Sequence, residues 1–402
     1  MKLKKYKILL FLLAAVLLLF FSNDFGLIDV EKTAIITAVA VDKDGDRYKV
    51  TAQIAVPEAT DVNAENQRAQ IYGTGGTVGA AIKNIGDTSG WFPQLAFCNL
   101  IILGENLADT DLVKVLDYFS KTLRMQDSAL IVMSEGNAAD ILKLSTPLDH
   151  ISSFALQKIL LKNAGLNRDI AHCDVKTFCL NYYSVSESSY MPYIKVVSQK
   201  RENSENENGG GGGGGGGGDS QAQGGVKGTD IFNADTTAIF LKGRKVGLLS
   251  DKQTLAFNAI SGNFSSTTVE VDDITPLTEE SDNCLLTVLK SRSKTYLTFV
   301  GGDPVYNVEL DLFVKVSDRN SAGADSEYLK NLPLPVNVKE KAESDIYGYI
   351  ESLIEVSKSL GCDFLGVKKE LYRRHYGKYS VYKDDILNTM RYSIKVNVHG
   401  EK

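Results

Sequence analysis

The chain has 402 residues, 43% of them hydrophobic and 23% charged, and a formal net charge of −6, which is room for two or three domains of ordinary globular composition. Four lysines (Lys2, Lys4, Lys5, Lys7) fall in the first seven residues, so the remainder is more acidic still. Such a body lacks the Lys/Arg excess that neutralises phosphates, which argues against nucleic acid as a partner and against lying flat on an anionic lipid surface.

After the basic start, Ile8 to Phe21 is fourteen unbroken apolar residues, a pattern that fits a secretory signal peptide or a short signal anchor. The segment ends Leu19-Phe20-Phe21-Ser22-Asn23 without the small-residue pair a cleavage site wants. A lipoprotein signal would place a Cys just after it, but the first is Cys98. Fourteen helical residues span about 21 Å, short of the roughly 30 Å hydrocarbon core; bilayer thinning and snorkelling lysines can cover the deficit. The preferred reading is an uncleaved anchor over Ile8, Leu13, Val16 and Phe21, with the lysines cytoplasmic and residues 22–402 on the extracytoplasmic side.

Ala34–Val41 and the alternating Tyr48, Val50, Ala52, Ile54 and Val56 flank Asp44-Gly45 and predict a β-hairpin ended by Pro57. Residues 58–76 are polar, and Thr77 is a candidate N-cap for a helix over 77–85. Phe97–Leu103, the helical spacing from Leu107 to Phe119, and Leu130–Met133 predict a βαβ crossover with a parallel strand pair. Ala138–Leu144 and Ile151–Leu161 read as helices separated by Pro147, and Met191–Val197 as a strand.

Gly209 to Gly218 is a run of ten glycines between polar flanks. Glycine loses the most backbone freedom on ordering, so residues 201–228 read as a flexible linker that divides the chain. The tract has neither the spacing nor the flanks of a phosphate-binding loop. Beyond it, a hairpin is expected around Lys242-Gly243 and a helix over Lys252–Ile260 with Gly262 after its end. Leu285–Leu289 and Tyr296–Val300 are β-like, and Val308 to Val316 alternates strictly, as a half-exposed strand of an antiparallel sheet does. Ser344 to Gly361 frames an amphipathic helix, and Tyr392 to Val398 alternates as a last strand. The fold class is α/β (α+β): three consecutive domains with mixed or antiparallel sheets and helices packed on one side. The divisions are 1–27 anchor or signal, 28–200, the linker 201–228, a small middle domain 229–279, and 280–402.

Catalytic chemistry has no visible carrier. Asp42-Lys-Asp-Gly-Asp46 resembles the start of a calcium loop, but its twelfth position is Gln53 where a Glu is needed, so a hairpin turn explains it better. The four histidines (His150, His172, His375, His399) lie in no metal-ligand spacing. Five cysteines include no C-x-x-C, and nothing demands that Cys173 and Cys179 pair. Nucleophile-elbow and H-E-x-x-H motifs are absent. No catalytic, cofactor or metal site is expected, and no cofactor.

Several segments in order resemble the GerC-type family, the C subunit of spore germinant receptors. They are Ala34–Asp42 with Tyr48–Ile54; Gly79–Ile82 and Phe97–Phe119; Ala238–Leu249, containing Gly243 and Gly247; and Asp363–Arg374, containing Asp363, Gly366 and Tyr372. Three departures stand out: Leu27-Ile28-Asp29 where the lipidated Cys would lie, Lys368 where a second Gly is usual, and Tyr379 near the place of an expected Trp. The resemblance implies a non-catalytic subunit acting beside integral-membrane receptor subunits in the spore inner membrane, and a membrane-anchored body. An anchored small-molecule-binding protein or a cell-wall enzyme is the alternative. Shortening Gly209–Gly218 to three glycines should leave the thermal unfolding midpoint within about 2 °C, since loop length enters stability only logarithmically. A drop of ten degrees in a melting curve would mean that the tract is packed.

Overall fold

The computed structural model describes residues 6–7, 10–16, 33–55, 70–122, 125–144, 151–161, 170–199, 229–262, 264, 267–274, 282–319 and 334–401. Two sheets organise them. The first begins with β1 (Thr33–Asp44), β2 (Arg47–Ile54) and β3 (Gln70–Gly75), an antiparallel meander. Helix α1 (Val78–Ser89) follows, then β4 (Phe92–Gln94), which lies parallel to the start of β1. Next come β5 (Leu100–Gly104), α2 (Leu112–Lys121) and β6 (Leu130–Ser134); β1, β5 and β6 pair in parallel, so the crossover predicted from residues 97–133 is present. After α3 (Ala138–Lys143), α4 (Ser152–Leu160) and α5 (Val175–Tyr182), β7 (Ser188–Gln199) joins parallel to β6. Strands β8 (Thr229–Leu241) and β9 (Arg244–Leu249) complete the order β3-β2-β1-β5-β6-β7-β8-β9.

The glycine tract therefore joins neighbours. Gln199 of β7 faces Thr229 of β8 in an antiparallel ladder. Residues 229–279, read from sequence as a middle domain, are shared: β8 and β9 belong to the first sheet, and β10 (Thr267–Ile274) to the second. Between them α6 (Asp251–Ile260) opens with a capping box of Ser250 and Gln253, which satisfies two otherwise orphaned N–H groups. This helix contacts both sides: Thr254 bonds Thr237 of β8 at 3.0 Å, and Ile260 accepts from Ser293 at 2.7 Å.

The second sheet runs β10, β11 (Asp282–Val300), β12 (Asp303–Arg319), β13 (Arg391–Gly400). The two β-like pieces predicted at 285–289 and 296–300 are one long strand, hairpinned onto β12 through Gly301 and Gly302, both at positive φ. Helices α7 (Val336–Ser359), α8 (Val367–Arg374), α9 (Tyr376–Tyr382) and α10 (Ile386–Thr389) lie between β12 and β13 in the chain. Helix α7 starts eight residues before Ser344, because Val338 and Ala342 extend its buried stripe back to Pro335, a residue suited to a helix start.

One-sided packing holds for the second sheet, where every other residue of β12 is buried. The first sheet is covered on both faces. Val39, Val41, Ile101 and Leu103 pack with α1, α2 and α5. Their neighbours Ala38, Ala40, Leu100 and Ile102 pack with α3 and α4. Central parallel strands are apolar on both faces for this reason.

Strand β3, inside the stretch read as polar loop, lies hard against α1. A Cβ on Gly73 would strike the carbonyl of Ala81, and one on Gly75 would sit 2.5 Å from Ala81 N. Gly73→Ala should lower stability by about 1–3 kcal/mol, read as a fall in the urea midpoint at unchanged slope; an unaltered midpoint would show that α1 can retreat freely.

Candidate functional site

The two sheets meet where α7 ends. Leu360 closes the helix, Gly361 takes φ 58°, and Ser357 Oγ donates to Cys362 O at 2.7 Å. The reversed chain carries Asp363 into the junction, almost wholly buried. Its Oδ1 accepts from Val367 N at 2.7 Å and its Oδ2 from Lys368 N at 2.7 Å, so it caps the start of α8. The same Oδ2 accepts from Ser186 Oγ at 2.6 Å, a residue of the turn before β7 in the other sheet. Gly366, at φ 78°, lets the backbone fold back so that these amides face the carboxylate. Burial pushes the Asp363 carboxyl above the ordinary 3.8, while Ser186 and the two amides pull the other way.

Beside this pin lies a cleft of about 370 Å³, lined in part by Asn181, Ser184, Tyr190, Phe257, Thr295 and Lys369. Its hydroxyl, amide and ammonium groups can hold a small polar molecule by hydrogen bonds. The acid at its wall is engaged three times over, by Ser186 Oγ and by two backbone amides.

Of the family-motif positions, Asp363 and Gly366 build the junction, and Gly247 approaches it: a Cβ there would lie 2.7 Å from Leu360 Cδ1. Tyr372 is exposed on α8 and stands edge-on to Tyr376 and Tyr379, centroids 5.4 and 5.1 Å away. Two positions lie elsewhere. Gly243, at φ 76°, turns β8 into β9 against the N-terminus of α2, where its carbonyl accepts from Leu112 N at 3.0 Å. Asp42 is buried at the end of β1 and accepts from Ala138 N and Ala139 N at 2.8 and 2.9 Å, capping α3. Its carboxylate is thus committed to backbone amides, and Asp44-Gly45 forms the hairpin turn expected of it.

Ser186, Asn181 and Lys369 have no sequence signal, because their roles arise only when segments about 180 residues apart meet. Asp363 and Gly366 are marked in the sequence by the resemblance of Asp363–Arg374 to the family's C-terminal segment. No disulfide joins Cys173 and Cys179. Among the described residues no three His, Cys, Asp or Glu side chains converge as metal ligands. Of the anchor positions, Leu13 and Val16 are exposed on the helical residues 10–16, and Ile8 and Phe21 lie outside the described residues. Among the described residues no helix is long and apolar enough to cross a membrane.

Two family descriptions match: "Spore germination protein N-terminal domain" over residues 27–196 and "Spore germination B3/ GerAC like, C-terminal" over residues 235–401. The chain belongs to the GerC-type family of spore germination proteins. The putative spore germination protein YfkR of Bacillus subtilis (strain 168) is 22% identical over 271 residues, which is 64% of this chain and 61% of YfkR. In fold, the chain is similar to the crystal structure of the GerBC protein, with a TM-score of 0.52 at 15% identity, over 93% of this chain and 100% of GerBC. The boundary between the matched regions falls at the glycine tract, whereas the sheets divide after β9.

Removing the pin should be costly. Asp363→Ala leaves two amides and a buried hydroxyl unpartnered and should cost about 2–4 kcal/mol, against about 1 for Ser186→Ala. The double variant should lose less than the sum of the two. The native state keeps the Asp363 proton to higher pH than the unfolded chain, so its contribution falls as pH rises from the ordinary 3.8 through the raised native value. Chemical denaturation at a series of pH values should therefore give a larger loss for Asp363→Ala at pH 4.5 than at pH 8. Strict additivity and a pH-independent loss would together disprove the pin.

Proposed function

We propose that this chain is a non-catalytic, membrane-anchored subunit of a nutrient germinant receptor, acting beside integral-membrane subunits with its body on the extracytoplasmic side of the spore inner membrane. The observation that carries the reading is the pair of germination-family matches, which together span both sheets. The basic, apolar N-terminus supports tethering: residues 1–7 are lysine-rich and residues 8–21 apolar. Tethering raises the concentration of the body around membrane partners without any new contact. Its α/β blocks then serve as a rigid docking body, and the junction described above fixes their relative placement.

A second reading has its own support: the polar cleft beside Asp363 suits a small nutrient such as an amino acid or sugar. Deleting the gene should leave spores that no longer respond to at least one nutrient, and the tagged full-length chain should co-purify from detergent extracts with a multi-spanning protein. Normal germination on every nutrient, with no such partner recovered, defeats the proposal. For the second reading, an amino acid or sugar that raises the melting temperature of the detergent-solubilised full chain by several degrees would favour direct ligand binding; no shift with any nutrient would leave the docking role alone.

A further inference from the structure

We infer that the end of the first sheet bearing Trp91, Phe92 and Phe97, where β1 begins beside β4, rests in the lipid interface, so that the body meets the bilayer end-on. This rests on the membrane anchoring proposed above and adds the orientation of the body.

The three aromatic side chains are 50%, 46% and 59% exposed. They occupy one strap alongside the first residues of β1. Phe92 pairs with Thr33 and Gln94 with Ile35, and Asn99 N donates to Thr37 O at 3.2 Å. Ile35 itself is exposed. No charged residue occurs from Thr88 to Gly104 in a chain that is 23% charged. The strap is held in place. Gly90, at φ 73°, ends α1, Trp91 N donates to Ser89 Oγ at 3.1 Å, and Pro93 lies close under Gly86. Exposed, clustered large apolar side chains mark interaction surfaces. Tryptophan favours the headgroup level of a bilayer, where its apolar ring can be buried with its N–H wet, and phenylalanine side chains bury in the acyl boundary beside it.

Chain continuity selects the bilayer as occupant. The strap lies where β1 begins, and only residues 22–32 separate β1 from the apolar segment that ends at Phe21. Eleven residues reach at most about 40 Å fully extended, so this end of the sheet stays close to the membrane that holds the segment. The acidity of the body opposes flat adsorption on anionic lipid, yet a strap without charged residues entering a zwitterionic interface meets no such penalty. Association through this strap should accordingly be insensitive to salt.

Trp91 is the only tryptophan, so its fluorescence reports this surface alone. The full chain would be reconstituted into phosphatidylcholine vesicles with or without lipids spin-labelled near the headgroup. Trp91 should be quenched by the labelled lipid and protected several-fold from iodide. A Tyr376→Trp reporter in a Trp91→Phe background, on the exposed face of α9, should show the reverse. If the chain floats with the vesicles while Trp91 stays open to iodide and unquenched by lipid, the anchor stands and this inference falls. Protection from iodide without lipid quenching would mean that protein covers the patch, and would equally overturn it. A chain that fails to float with the vesicles overturns both the anchoring and the orientation.

Discussion

A buried carboxylate pins the two sheets of this protein together at the end of α7. Asp363 comes from the turn between α7 and α8 and reaches Ser186 in the turn before β7. Taking a carboxylate out of water costs several kcal/mol, and three short hydrogen bonds offset part of that cost here, with burial still the larger effect. Because two of them come from the first turn of α8, the same group that joins the sheets also sets the direction of that helix. The tyrosine cluster on α8 and α9 and the wall of the cleft inherit their positions from it.

Asp42 repeats the device in the first sheet. It too is a buried acid at an element's end, bonded to two amides of a helix start, with burial raising its carboxyl above the usual range. A Cβ at Gly104 would collide with it, so the end of β5 is shaped around the acid. Two aspartates that stand out in sequence thus serve the backbone, meeting the need of a helix N-terminus for acceptors.

Periodicity revealed elements whose chemistry is local. The hairpin at Asp44-Gly45, the crossover from β5 to β6, the Thr77 cap and the alternation of β12 follow from neighbouring residues. Elements specified by distant partners were hidden. Strand β3 contains two glycines, which weaken a strand signal, yet those glycines admit α1. Residues 175–182 carry little helical patterning, and α5 is fixed by its Asp174 cap and the burial of Phe178 under Phe240. Of the junction, Asp363 and Gly366 stood out only through the family resemblance of Asp363–Arg374; the roles of Ser186, Asn181 and Lys369 did not, because pairing across about 180 residues leaves no mark on spacing.

The antiparallel pairing of Gln199 with Thr229 has a practical consequence. The two ends of the intervening segment are held at strand-pair separation, about 5 Å apart, by a ladder that extends through both strands. A folded reporter whose own termini lie close together could be housed there, its fluorescence following the protein while both termini of the chain stay untouched. The same geometry means that the spacing of the two strands is set by their own ladder and not by the length of the segment that joins them.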